Sequence, residues 1–262
     1  MEKLTVPKFR AMKAGGRKIV MLTAYDYTMA RLLDSAGVDG LLVGDSLAMV
    51  VQGHQTTLPV TLEQMIYHAS MVARAVQRAL VVADMPFLSY QLGIRDAIAN
   101  AGRVLKETGC HAVKLEGGAD QAEVIAALVR AGIPVMAHLG VMPQSVLQSG
   151  GYSVQRDSSR LVADAKAVEQ AGAFAVVLEC IAADTAAQIT KQVSIPTIGI
   201  GAGSHCDGQI QVLHDLLGLT VGKVPKHSKC YADLKSLAIA AVTRYCEEVR
   251  SGAFPTKEQS FQ

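Results

Sequence analysis

The sequence predicts a single (β/α)8 barrel, and three observations carry that expectation. The chain has 262 residues, close to the roughly 250 that one such barrel takes. Short apolar runs rich in β-branched residues recur between longer segments of helical period, and glycines stand where those helices should stop. Half of the residues are apolar, 5% are aromatic and Trp is absent. The core is therefore expected to be built from Val, Ile, Leu, Ala and Met, a palette that suits strands buried on both faces.

In chain order, residues 19–23, 40–44, 80–84, 112–116, 134–138, 173–179 and 196–199 read as strands, with a weaker eighth near 219–222. Residues 27–36, 62–76, 94–107, 120–131, 159–171 and 183–192 read as the intervening helices. Four of them run into Gly37, Gly109, Gly132 or Gly172, each suited to the left-handed conformation that closes a helix. Residues 231–250 read as one more helix, residues 251–262 as a polar tail and residues 1–10 as a short N-terminal extension. One domain over 1–262 is the expectation. An open doubly wound sheet has the same alternation and stays the structural alternative.

Composition narrows the function. A net charge of +2 with both signs mixed along the chain leaves no electrostatic footprint for nucleic acid or an anionic membrane, so a small-molecule partner is expected. Cys110, Cys180, Cys206, Cys230 and Cys246 are odd in number and contain no C-x-x-C pair, the pattern of reduced thiols in a cytoplasmic protein. No run approaches the ~20 apolar residues of a membrane span, and residues 1–10, which include Pro7, lack the apolar region of a secretory signal.

Polar residues gather where the apolar runs stop. Asp45 and Ser46 follow the second run, Asp84 closes the third, Lys114 and Glu116 the fourth, His138 the fifth and Glu179 the sixth. In a barrel these ends share one face, the face on which sites are built. Any one of them alone also reads as a loop residue, a helix cap or half of a buried ion pair. Together they place several carboxylates in one small space, where mutual repulsion and burial call for a cation.

Oxygen donors without His or Cys at zinc spacing point to Mg²⁺. Held by Asp45, Asp84 and Glu116, it is expected to chelate a 2-oxo acid and stabilise the enolate formed next to the oxo group. Glu179 is the candidate base, with a structural ion pair as its alternative. Lys114 and His138 are candidates for binding the substrate's oxygens, although His138 also reads as a core histidine. The glycines at 199–203 and 117–118 lack the dinucleotide and Walker spacings and read as tight turns.

At this point an ordered set of motifs matches a known family. Val43-Gly44-Asp45-Ser46-Leu47, Thr57-Leu58-Pro59-Val60-Thr61, Ala83-Asp84-Met85-Pro86-Phe87, Val113-Lys114-Leu115-Glu116-Gly117-Gly118, the stretch from Gly140 to Gln144 and the glycines from Gly199 to Gly203 resemble ketopantoate hydroxymethyltransferases. Order and spacing agree from about Lys18 to Phe254. The resemblance implies a barrel of the phosphoenolpyruvate/pyruvate superfamily acting in pantothenate biosynthesis. Its substrates would be 3-methyl-2-oxobutanoate and 5,10-methylenetetrahydrofolate. It also implies Mg²⁺ on Asp45, Asp84 and Glu116, oxo-acid contacts from Asp45, Ser46, Asp84 and Lys114, Glu179 as proton acceptor, and a homo-oligomer, commonly a decamer.

This chain departs from the family pattern at Ala48, Gln55 and His227, and at residues 154–160, which lack the glycine usual after Val154-Gln155 and look a few residues short. That loop should overhang the site and bears on closure over substrate. Two other functions fit the same residues: a metal-dependent lyase of 2-oxo acids, and a diverged, inactive oligomeric barrel.

Overall fold

The computed structural model describes residues 2–261, and its chain falls into two compact units, Met1–Val212 and Leu213–Gln262. The first unit runs α1 (Val6–Ala14), β1 (Ile19–Thr23), α2 (Tyr27–Ser35), β2 (Gly40–Val43), α3 (Leu47–Val50), α4 (Leu62–Ala75), β3 (Leu80–Asp84) and α5 (Ile94–Thr108). It continues β4 (Ala112–Glu116), α6 (Ala122–Arg130), β5 (Val135–Gly140), α7 (Val146–Ser149), α8 (Ser158–Gln170), β6 (Ala175–Glu179), α9 (Ala183–Gln192), β7 (Thr197–Ile200) and β8 (Gly208–Gln211). Each strand pairs in parallel with the next, and β8 returns to β1 with Gly208 opposite Ile19 and Gln211 opposite Leu22. The sheet is a closed barrel, so the open-sheet alternative is excluded.

Strand alternation explains how this barrel carries both a core and a site. Leu80 and Val82 of β3, Ala112 of β4, Met136 of β5, and Ala175 and Val177 of β6 belong to one buried apolar cluster. Successive residues of a strand face opposite sides. Counting on by two places Asp84, Lys114, Glu116, His138 and Glu179 on that same inner face, nearer the C-terminal ends of the strands. The inward positions are thus apolar at depth and ionisable at the rim.

Local chemistry sets the helix limits. Thr61 and Gln64 form a reciprocal capping box at the start of α4, and Asp26 caps α2 by accepting from Met29 N. Gly109 closes α5 with φ 79°, and Gly37, Gly132 and Gly172 also carry positive φ, as expected. The segment expected as one helix from 120 begins instead with a 3₁₀ turn, Ala119–Gln121, before α6.

Two elements differ from the sequence reading. The N-terminal extension is a helix: Thr5 caps α1, Pro7 occupies its first turn, and Phe9 is its buried residue. The Phe9 ring meets Phe174 edge-on at 5.8 Å inside the apolar cluster. Lys13 fastens the other end of α1 through Asp207 at 2.9 Å and the carbonyls of Thr190 and Ile195.

The eighth strand is Gly208–Gln211, not 219–222. Its sequence, Gly-Gln-Ile-Gln, has one strongly apolar residue, and a Cβ on Gly208 would lie 2.5 Å from Ile19 O. Close approach of two backbones closes the barrel here, and that leaves little hydropathy signal. Residues 219–222 are irregular, with Val221 fully solvent-facing.

In the second unit, α10 (Leu213–Leu216) is followed by a loop folded around Asp215, whose carboxylate accepts from Thr220 and Ser228. Then comes α11 (Leu234–Ser251), capped by Asp233. The expected tail includes a further 3₁₀ turn, Lys257–Gln259. No described helix is long and apolar enough to cross a membrane.

Candidate active site

The sequence-picked side chains meet at the C-terminal rim of the barrel. Asp84 and Lys114 face each other across the β3–β4 pair, Lys114 Nζ donating to Asp84 Oδ1 at 2.5 Å. The turn after β2 carries Asp45 to the same place, where its backbone N donates to Asp84 Oδ2 at 3.0 Å. A Cβ on Gly44 would lie 2.8 Å from Ser46 Oγ and 3.5 Å from Asp84 Oδ2, so a side chain there would press on the Ser46 hydroxyl. Ser46 shares a hydrogen bond with Tyr25 Oη at 2.8 Å.

Gln144, which residue chemistry alone did not single out, ties the acidic groups together. Its Nε2 donates to Asp45 Oδ2 and Met85 O, both at 3.0 Å, and its backbone N donates to Glu116 Oε2 at 3.0 Å. Its Oε1 faces Tyr90 Oη at 2.9 Å, and Tyr90 Oη accepts from Glu116 N. Tyr25, Tyr90 and Gln144 are all buried. Their only sequence signal was Gln144's place in the 140–144 motif; the tyrosines carried none.

His138 lies between two carboxylates. Its Nε2 is 3.4 Å from Glu179 Oε2 and its Nδ1 is 3.8 Å from Glu116 Oε1, and neither nitrogen has a hydrogen-bond partner within the protein. Burial, then Lys114, lowers its pKa, so it stands neutral beside Glu179. Glu179 is the more open group, with 19% of its side chain exposed against 3% for His138.

Charge is unbalanced at this rim. Burial first, and then Asp84, pushes Asp45 up to about 7. Burial and Asp45 raise Glu116 well above the carboxylate range. For Lys114, burial works against the charge, but Asp84, Glu116 and Asp45 outweigh it and raise its pKa. One ammonium therefore serves several buried carboxylates.

Among the described residues, no three of His, Cys, Asp and Glu already converge as a metal site; Asp84 is turned onto Lys114. The donors nevertheless fit a hard divalent cation. They are oxygens, they are buried, Glu116 Oε1 has no hydrogen-bond partner, and burial, followed by mutual repulsion, raises two of the three carboxylates expected to bind it. Asp45, Asp84 and Glu116 are the residues able to hold such an ion.

Comparison with known proteins gives the family. A family model described as ketopantoate hydroxymethyltransferase matches residues 3–257. A protein of Rhodopirellula baltica named 3-methyl-2-oxobutanoate hydroxymethyltransferase is 55% identical over 260 residues, covering 99% of this chain and 97% of its own. One of Desulforapulum autotrophicum with the same name is 56% identical, covering 99% of each. Among solved structures, 2,3-dimethylmalate lyase, described as a PEP mutase/isocitrate lyase superfamily member, superposes with a TM-score of 0.63 at 21% identity. The match covers 98% of this chain and 92% of that one, and at that identity it bears on the fold alone.

Proposed function

The chain belongs to the ketopantoate hydroxymethyltransferase family, and from that premise we propose how its residues divide the work. The reaction is that of a 3-methyl-2-oxobutanoate hydroxymethyltransferase, the activity for which relatives of this identity and coverage are named. The methylene carbon of 5,10-methylenetetrahydrofolate becomes bonded to the branched carbon of the oxo acid and water supplies its hydroxyl, giving 2-dehydropantoate for pantothenate biosynthesis and releasing tetrahydrofolate.

Glu179 is the base. The observation that carries this reading is its placement: it shares the inner rim with Asp45, Asp84, Lys114 and Glu116, yet makes no bond to the Asp45–Gln144–Glu116 network and stays part-open. A base must be unengaged and within reach of the C3 proton. His138, whose Nε2 is 3.4 Å from Glu179 Oε2, can hydrogen-bond the oxo acid through a ring N–H. Lys114 offsets negative charge on the substrate's oxygens, and Asp45 and Ser46 orient the carboxylate end. When bound at Asp45, Asp84 and Glu116, Mg²⁺ supplies Lewis acidity to the oxo and carboxylate oxygens. The carbon deprotonated by Glu179 then attacks the methylene carbon of the folate as its iminium, one C–N bond already open, and water displaces the second folate nitrogen to leave the hydroxymethyl product and tetrahydrofolate.

The family resemblance also implies a homo-oligomer, commonly a decamer. In support, α11 buries none of its residues and exposes Leu237, Ile239, Val242 and Tyr245. We place the protein in the cytoplasm, on its scattered cysteines, of which Cys110 and Cys206 are buried thiols.

The test is proton NMR of 3-methyl-2-oxobutanoate in D₂O with the protein and Mg²⁺, without folate. Wild type should exchange C3 only with metal present, and Glu179→Gln should not exchange it. Exchange that persists in Glu179→Gln assigns the base elsewhere. No exchange by folded wild type removes the deprotonation step and favours the inactive-barrel alternative.

A further inference from the structure

The last residue of β6 is Glu179, and the backbone around it is held from three sides. Its carbonyl accepts from Val141 N at 2.9 Å, and a Cβ on Gly140, at φ 103°, would lie 2.0 Å from that oxygen. Cys180 N donates to Ile200 O at 2.8 Å on the β7 side. Cys180 itself has φ 49°, a left-handed conformation that costs free energy in a residue with a Cβ and persists where its surroundings enforce it. Leu88 is the other described non-glycine residue with positive φ.

The third side is the loop between α7 and α8. Gln155 N donates to Cys180 O at 2.9 Å and Ala182 N donates to Gln155 O at 3.3 Å, which makes Gln155 and Ile181 a one-residue parallel bridge. The loop is thus stitched to the strand immediately after the base. Tyr152, three residues earlier and half exposed, lies within reach of the site's charge: burial, then Glu179, Asp45 and Glu116, raises its pKa. The family's glycine after Val-Gln is Arg156 here, and Arg156 is not among the left-handed residues. The bridge therefore forms without a glycine's freedom.

We propose that Gln155 is a positioning residue for Glu179: its backbone, docked on residues 180–182, holds Cys180 in the left-handed turn and so fixes the direction of the Glu179 carboxylate. This rests on the reading of Glu179 as the base.

Because the contact is through the main chain, proline and alanine separate it from side-chain effects. Gln155→Pro removes the N–H that Cys180 O accepts; Gln155→Ala keeps it. The measurements are kcat and KM for Mg²⁺-dependent C3 exchange of 3-methyl-2-oxobutanoate, and amide hydrogen exchange over residues 150–157 and 178–184. In Gln155→Pro, kcat should fall by roughly tenfold to a hundredfold, the scale of an ångström-level misplacement, with KM within about threefold of wild type. The Ala182 amide should lose protection, and Gln155→Ala should restore both. Faster amide exchange with unchanged kcat overturns the inference, as does a lost kcat with amide protection intact. A wild type that leaves C3 unexchanged sinks the reading of the reaction and this inference with it. A wild type that exchanges C3, beside a Gln155→Pro variant that matches it, sinks this inference alone.

Discussion

Gln144 joins two carboxylates, Asp45 and Glu116, that mutual repulsion would otherwise drive apart, and it does so across 99 residues of sequence from Asp45. Gln144→Leu removes the side-chain donors to Asp45 Oδ2 and Met85 O while keeping the backbone bond to Glu116. Buried acceptors left without partners cost about 1–3 kcal/mol, so urea unfolding of the metal-free protein should show a loss of that size. An unchanged midpoint would mean that water replaces the amide. With Mg²⁺ held at Asp45, Asp84 and Glu116 as proposed, the same surplus of negative charge should make the ion a stabiliser. At about a hundredfold excess over its Kd, a ligand bound only by the native state adds ~2.7 kcal/mol. In a chain of this size the thermal midpoint should rise by several degrees and fall back with EDTA; in Glu116→Gln the rise should shrink. A wild-type midpoint indifferent to Mg²⁺ would remove the cation from Asp45, Asp84 and Glu116. These three, with Lys114, His138 and Glu179, were legible as polar residues closing apolar runs, because strand ends announce themselves in sequence. Tyr25, Tyr90 and Gln144 were not, since an uncharged side chain acquires its role from partners that only the folded chain brings near.

Among the elements, α1 shows how little sequence signal a structural part needs. Its apolar residues are one short stripe, Val6, Phe9 and Met12, set among charged residues; Phe9 is its one fully buried side chain and the other two pack half-buried against the barrel's inner cluster. Phe9→Ala should therefore cost about 3–5 kcal/mol, as for a large aromatic deleted from a core. A loss below ~1 kcal/mol, the range of surface substitutions, would show that α1 lies on the barrel without plugging it. The strand β8 escaped detection for a related reason: closure at Gly208 works through backbone proximity to Ile19, and its flanking Gln209 and Gln211 hide the one apolar residue between them. By contrast β3 and β4, buried at every position, stood out as continuous runs with their ionisable rim residues attached. Hydropathy finds the strands that are packed on both faces and misses the one that is packed mostly by its main chain.

For the whole molecule, the open question is assembly, and the second unit supplies the handle. A solitary helix in water keeps its apolar side chains exposed only at a cost, and fully burying one contributes about 1.5–3 kcal/mol. Along α11, Leu237, Ile239, Val242, Tyr245 and Val249 are all substantially exposed within one chain, although the helix is capped at Asp233 and closed at Gly252. Ile239, Val242, Tyr245 and Val249 follow one another at three- and four-residue steps on one face of this helix, and such a face fits the subunit contact proposed above. Replacing Val242 and Tyr245, three residues apart on one face, together by Glu puts two charges on that surface without touching the cap or the closing glycine. Light scattering with size-exclusion chromatography should then report a smaller species than wild type at the same concentration, with the helical circular dichroism of each chain retained. If the double variant keeps the wild-type mass, α11 is not the assembly surface and the oligomer implied by the family must be held by the barrel. If wild type is itself a monomer at micromolar concentration, the oligomer is excluded for this chain, and α11 would have to be covered by something other than its own copies.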